Sequence, residues 1–156
     1  MKLHIWWIWL LPLAGCANQQ EQALRRLNDI AEEVLRTPCA EPELSYRPVE
    51  NAHVPGLVDE VETLYCPGLA ASIYLSEQAA RPDGMPIWLE VSGAQPTLPA
   101  FMNIGAGRDE VVAELGRPAR EGPGLLRYQS GETTENVTFR LERERVSAIR
   151  WEWYID

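Results

Sequence analysis

The feature that most constrains this chain lies at its start. Met1-Lys2-Leu3-His4 is followed by an apolar run over residues 5–13, and then by Ala14-Gly15-Cys16. A positive start, a short apolar core and small residues before a cut site make a secretory signal. The run is about nine residues long, whereas a bilayer-spanning helix takes roughly twenty. Residues 1–15 are therefore expected to export the chain and to be removed. Everything after them must fold outside the cytoplasm, in an oxidising compartment where thiols pair.

Leu13-Ala14-Gly15-Cys16 resembles a bacterial lipobox. The resemblance implies that the Cys16 thiol receives a diacylglycerol and that cleavage after Gly15 makes it the first residue. An ordinary secretory signal with an incidental cysteine is the alternative. Several acyl chains on one residue hold a protein at a bilayer far better than one chain does. Ala17 follows where lipoproteins retained at the inner membrane often carry Asp, which implies outer-membrane placement facing the periplasm. The expected organisation is a signal over 1–15, a lipidated Cys16 with a tether over 16–22, and a folded domain over 23–156.

Lys2, the single lysine, leaves with the signal, so 13 arginines face 23 acids for a net charge of −10. Such a chain repels nucleic-acid phosphates, and no nucleic-acid partner is expected. With Cys16 acylated, Cys39 and Cys66 remain, and an even pair in this compartment reads as a disulfide. Closing that loop would stabilise the fold by roughly 3.5 kcal/mol. No Cys-x-x-Cys spacing supports a redox role.

Residues 19–36 form the clearest helix. Leu24, Leu27, Ile30, Ala31, Val34 and Leu35 make one apolar stripe, and Thr37-Pro38 ends it. The stripe suits core packing, with a partner-binding helix as the alternative. Residues 38–57 read as a proline-rich loop. Strands are expected over 61–66, 69–76 and 87–92, the last two alternating cleanly. Cys66-Pro67-Gly68 and Arg81-Pro82-Asp83-Gly84 are turn signals, and 93–99 is a loop. A second helix is expected over 108–115, with Asp109 and Glu110 in its first turn, Gly116 ending it and Pro118 preventing its return. Strands are expected over 125–129, 136–142 and 146–155, with a bulge near Ser147 because Val146 falls out of step with Ile149 and Trp151. The expected fold is α+β, with helices packed on antiparallel β meanders, and with two helix-plus-three-strand halves as one form of it.

The stretch Ile104 to Pro118, reading Ile-Gly-Ala-Gly-Arg-Asp-Glu-Val-Val-Ala-Glu-Leu-Gly-Arg-Pro, resembles the motif of small outer-membrane assembly lipoproteins (BamE, also called SmpA or OmlA). In that family a Gly precedes a short helix that ends in Leu-Gly-x-Pro, and a three-stranded meander follows. Gly105, Arg108, Val111, Leu115, Gly116 and Pro118 match it, as do Leu126, Tyr128, Val137, Phe139, Val146 and Ile149 in the strands. The resemblance covers residues 104–155 and implies a non-catalytic scaffold or binding role with an envelope protein partner. Gly107 stands where the family has Ser or Thr as helix cap. Leu64-Tyr65-Cys66-Pro67-Gly68-Leu69 followed by Ser72-Ile73-Tyr74-Leu75 is similar to the opening of membrane-bound lysozyme inhibitors. An acidic chain would attract a basic lysozyme. An immunity protein against an exported toxin is a third option.

No catalytic constellation is expected. His53 is the one histidine of the mature chain and sits in the proline-rich loop, where it reads as a surface residue. No Gly-x-Ser-x-Gly elbow occurs. One His beside two bridged Cys cannot make a zinc site. The runs Asp59-Glu60 with Glu62, and Asp109-Glu110, read as solvated faces. Gly105-Ala106-Gly107 lacks the rest of a phosphate or dinucleotide motif. No cofactor is expected. The binding candidates are Tyr74, Trp88, Arg150, Glu152 and Tyr154, because aromatic and arginine side chains are the usual interface anchors; the alternative is that Tyr74 and Trp88 cover a second layer of core. The lipobox reading is checked by radiolabelled palmitate. Label enters the parent, and a Cys16→Ser variant stays unlabelled and unprocessed.

Overall fold

In the computed structural model, residues 15–77, 84–131 and 134–153 are described. Among them the chain forms two α-helices, one 3-10 turn and eight strands. Helix α1 is Gly15–Arg36. Four strands follow: β1 Glu43–Glu50, β2 Val58–Cys66, β3 Leu69–Leu75 and β4 Met85–Val91. The 3-10 turn Ala100–Met102 leads into α2, Arg108–Leu115. Four more strands close the chain: β5 Arg120–Gly122, β6 Leu125–Gln129, β7 Asn136–Glu142 and β8 Arg145–Glu152.

All eight strands belong to one antiparallel sheet, in the order β1-β2-β3-β4-β8-β7-β6-β5. This overturns the expected α+β arrangement of helices packed on meanders in two helix-plus-three-strand halves. Each half contributes four strands, and the halves fuse edge to edge where β4 pairs with β8. Two strands account for the difference. β1 lies inside the stretch read as a proline-rich loop. Pro48 sits on an edge strand, where proline is tolerated because the outward N–H has no ladder partner to serve. β5 is only three residues long and ends on Gly122.

Strand alternation gives the sheet two unlike faces. On one, a row of paired residues crosses six strands: Leu64, Ala71, Leu89, Trp151, Val137 and Tyr128. All six are buried. A parallel row is Leu69, Val91, Ile149, Phe139 and Leu126, also buried. Helix α1 lays Ala23, Leu24, Leu27, Ala31 and Val34 on this surface, and α2 adds Val111 and Leu115. The apolar stripe of α1 is thus a packing stripe, with Ile30 and Leu35 at its margins. The Trp151 indole N–H donates to the Leu27 carbonyl at 3.0 Å, and Trp153 reaches Asn28 Oδ1 at 3.2 Å. Tyr128 is buried and donates its hydroxyl to the Gly116 carbonyl at 2.9 Å. Burial, aided by Glu121, pushes that phenol up to about 12.

Local devices hold the ends. Cys39 and Cys66 form a disulfide, with Cα atoms 6.1 Å apart, that ties the chain after α1 to the end of β2. Gly68 has φ +69° in the β2–β3 turn, and a Cβ there would lie 2.5 Å from Gly93 Cα, so two backbones touch where only glycine fits. At the start of α2 the Gly107 N–H donates to Glu110 Oε2 at 2.7 Å, which supplies half of a capping box without a side-chain cap. Gly116 stops α2 at φ +80°. The bulge expected near Ser147 is present: Arg140 pairs with Ala148 and Leu141 with Val146, leaving Ser147 as the extra residue. The charged β7–β8 turn runs through Arg143 and Glu144, both at positive φ and both exposed.

Among the described residues, no helix is long and apolar enough to cross a membrane. Residues 16–22, placed in the tether on sequence grounds, are helical and belong to α1. Most of the expected signal, the turn residues 81–83, and Tyr154 and Ile155 lie outside the described residues.

Trp151 carries the largest buried side chain and holds α1 over the seam between the halves. Trp151→Ala should cost about 3–5 kcal/mol, the usual range for a large aromatic truncated in a core. Urea denaturation measures it, and a loss below 1 kcal/mol would mean that the seam is not packed as described.

Candidate functional site

The second face of the sheet has neither helix on it and is built from polar and aromatic side chains. One row reads Tyr65, Ala70, Glu90, Arg150, Thr138 and Arg127 across β2, β3, β4, β8, β7 and β6. The next reads Thr63, Ser72, Trp88, Glu152, Asn136 and Gln129. Paired residues of antiparallel strands share a face, so these side chains are neighbours.

Three of the expected binding residues meet here. The Arg150 guanidinium lies over the Trp88 ring, 4.9 Å from its centroid. Its Nη1 donates to Glu90 Oε2 at 3.1 Å and its Nε to Glu152 Oε1 at 3.1 Å. Asn136 Nδ2 donates to the other Glu152 oxygen at 3.2 Å. The Arg150 hydrogen bond, helped by Asn136, holds the Glu152 carboxyl below its usual range against the opposing effect of burial. Arg140 approaches Glu90 at 4.0 Å. Arg127 Nε donates to Thr138 Oγ1 at 3.2 Å, and Thr138 Oγ1 donates in turn to Asn136 Oδ1 at 3.2 Å. A guanidinium stacked on a tryptophan and held between two carboxylates keeps one rotamer with little further entropy to lose. The patch is preorganised and contains no nucleophile–base pair.

Trp88 is half-buried with Arg150 stacked on it, and neither helix lies on its side. The expectation that a second core layer covers it finds no such layer among the described residues. Tyr74 shares this face but turns to another partner. Its hydroxyl donates to Asp59 Oδ2, which also accepts from Asn51 Nδ2 at 2.7 Å. Asp59 is buried, which corrects the reading of its run as a solvated face; Glu60 beside it is exposed. Strand alternation separates the two, because Asp59 shares a face with Val61 and Tyr74 while Glu60 points the other way. Asn51 Oδ1 accepts from the backbone N–H groups of His53 and Val54, each at 2.8 Å, so His53 is an exposed loop residue.

Glu90, Asn136, Thr138 and Arg127 were not among the candidates. The signal for Glu90 was present, because it alternates in phase with Trp88. The other three depend on β7 and β6 being carried into the same sheet as β4. Among the described residues, no group of three or more His, Cys, Asp or Glu is placed to hold a metal ion.

No family model, no curated protein and no solved structure matches the chain.

Tyr74 holds the Asp59 carboxyl below the ordinary range through its donated hydrogen bond, against the smaller cost of burial. A carboxyl depressed on folding stabilises the protein above its unfolded value, about 4, and ceases to do so as the pH falls through the folded value. Tyr74→Phe should therefore lower the urea midpoint at pH 7, and the gap from the parent should narrow as the pH falls below the unfolded carboxyl value. A gap unchanged at pH 2 would remove the ionised carboxylate from the account.

Proposed function

We propose that this chain is a non-catalytic lipoprotein of the outer membrane, held by acylated Cys16 and facing the periplasm, which binds an envelope protein partner through the open face of its sheet. The observation that carries this reading is the Trp88–Arg150 stack clamped by Glu90 and Glu152 on the face that neither helix covers. Aromatic and arginine side chains with fixed rotamers are what interface hot spots are made of.

The start of α1 supports an anchor set close to the body. Gln20 donates to the Arg117 carbonyl, so the folded structure is engaged about one helical turn after Cys16. A domain fixed so near an acyl anchor sits against the bilayer instead of swinging on a long arm. The order of residues 104–155, with its glycine turn, short helix, Gly116 stop and strands, supports placing the role in envelope assembly or maintenance. A second reading, an inhibitor of a basic enzyme such as lysozyme, has the acid surplus in its favour, as has an immunity protein.

The test is capture from detergent-solubilised envelopes by the full chain. The parent recovers a partner, and the Trp88→Ala/Arg150→Ala variant loses it by at least tenfold while its far-UV spectrum is unchanged. Equal recovery by both would place the contact elsewhere, and inhibition of a lysozyme by the parent would favour the second reading.

A further inference from the structure

We infer that the free edge of β1 is a docking strand for an extended, cationic polypeptide segment. β1 ends the sheet, pairs with β2 along eight residues, and has no strand on its outer side among the described residues. Seven of its eight residues are exposed. Its unmet backbone groups, interrupted at Pro48, which has no N–H to donate, can bond an added strand and supply affinity without sequence preference. The opposite edge, β5, has only three residues and offers no such length.

Charge selects the occupant. Residues 37–103 contain nine acids and two arginines, so this segment carries −7 of the mature −10. The edge itself bears Glu43 and Glu50, and Glu60 and Glu62 stand on the neighbouring strand, against Arg47. A second copy is the wrong partner. It would bring the same acidic surplus to the shared edge, and two such edges repel. The acids thus guard β1 against self-pairing and attract a basic strand.

Side-chain recognition is present as well. Leu44 and Tyr46 are exposed on the face of Leu64, and Tyr46 stands directly across from Glu62 of β2. At the far end of β1 an open groove of about 650 Å³ is walled by Pro48, Leu57, Val58, Asp59 and Leu75. A segment laid along β1 would pass its apolar side chains over Leu44 and Tyr46 and reach the mouth of this groove. The surface is separate from the Trp88–Arg150 patch, which lies on the inner strands.

The test uses the full chain in neutral detergent with two eight-residue probes, acetyl-(Arg-Val)4-amide and acetyl-(Glu-Val)4-amide, read by amide hydrogen exchange. The arginine peptide should slow exchange at the β1 amides by at least tenfold, and the glutamate peptide should leave them unchanged. A Glu43→Lys/Glu50→Lys variant should weaken the arginine peptide by tenfold or more while exchange in β7 and β8 stays as in the parent. The Trp88→Ala/Arg150→Ala variant should bind it as the parent does. The inference is overturned if the arginine peptide leaves β1 unprotected on the unmutated chain, if both peptides protect it equally, if protection falls on another element, or if the chain alone dimerises through β1.

Discussion

Burial of Trp151 beneath α1 is the contact on which the rest of the structure depends. Its ring fills the row between Leu89 of β4 and Val137 of β7, and its indole N–H meets the Leu27 carbonyl. One side chain therefore joins both halves of the sheet to the helix that seals them. The hydrogen bond matters as much as the area, because a buried donor without a partner costs about 1–3 kcal/mol. The seam it secures has only four registered pairs, from Trp88–Glu152 to Val91–Ile149. So narrow a junction needs a large apolar contact behind it.

Sealing one face leaves the other to polar chemistry, and the seam organises that face too. The strand pair that buries Leu89 and Trp151 on one side presents Trp88, Glu90, Arg150 and Glu152 on the other. The same four positions on each strand thus serve the core and the proposed recognition face by turns. Charge is divided along a different line. The first meander holds most of the negative surplus, while residues 104–156 balance eight arginines against ten acids. The molecule therefore has an acidic end at β1 and a nearly neutral end where α1 starts.

Local signals were legible wherever a strong local cause acted. The bounds of α2, β6 and β7 follow from Gly116, from alternation and from turn residues, and the bulge at Ser147 follows from a one-residue slip in an apolar pattern. β1 was not legible because Pro48 argues against a strand unless the strand is known to be an edge. That is a property of the whole sheet. The β4–β8 seam is likewise non-local, and without it Thr138 and Arg127 cannot be placed beside Trp88. Cys39 and Cys66 were legible as a pair from their number and the expected compartment. Tyr74 lies on the open face, where the β2–β3 register brings it to Asp59, but its engagement by Asn51 depends on the loop after β1 folding back, which alternation does not encode.

The position of β8 governs when the fold can exist. Among the described strands it comes last in the sequence yet stands fourth from the β5 edge, with β4 and β7 on either side. A nascent chain emerging amino end first can pair β1 through β4, but β4 and β7 each wait with a bare inner flank until residues 145–152 arrive. Synthesis halted short of Arg145 would leave two disconnected ribbons and an α1 whose Leu27 carbonyl has lost its indole donor. Arrival of β8 is thus recorded in the centre of the sheet.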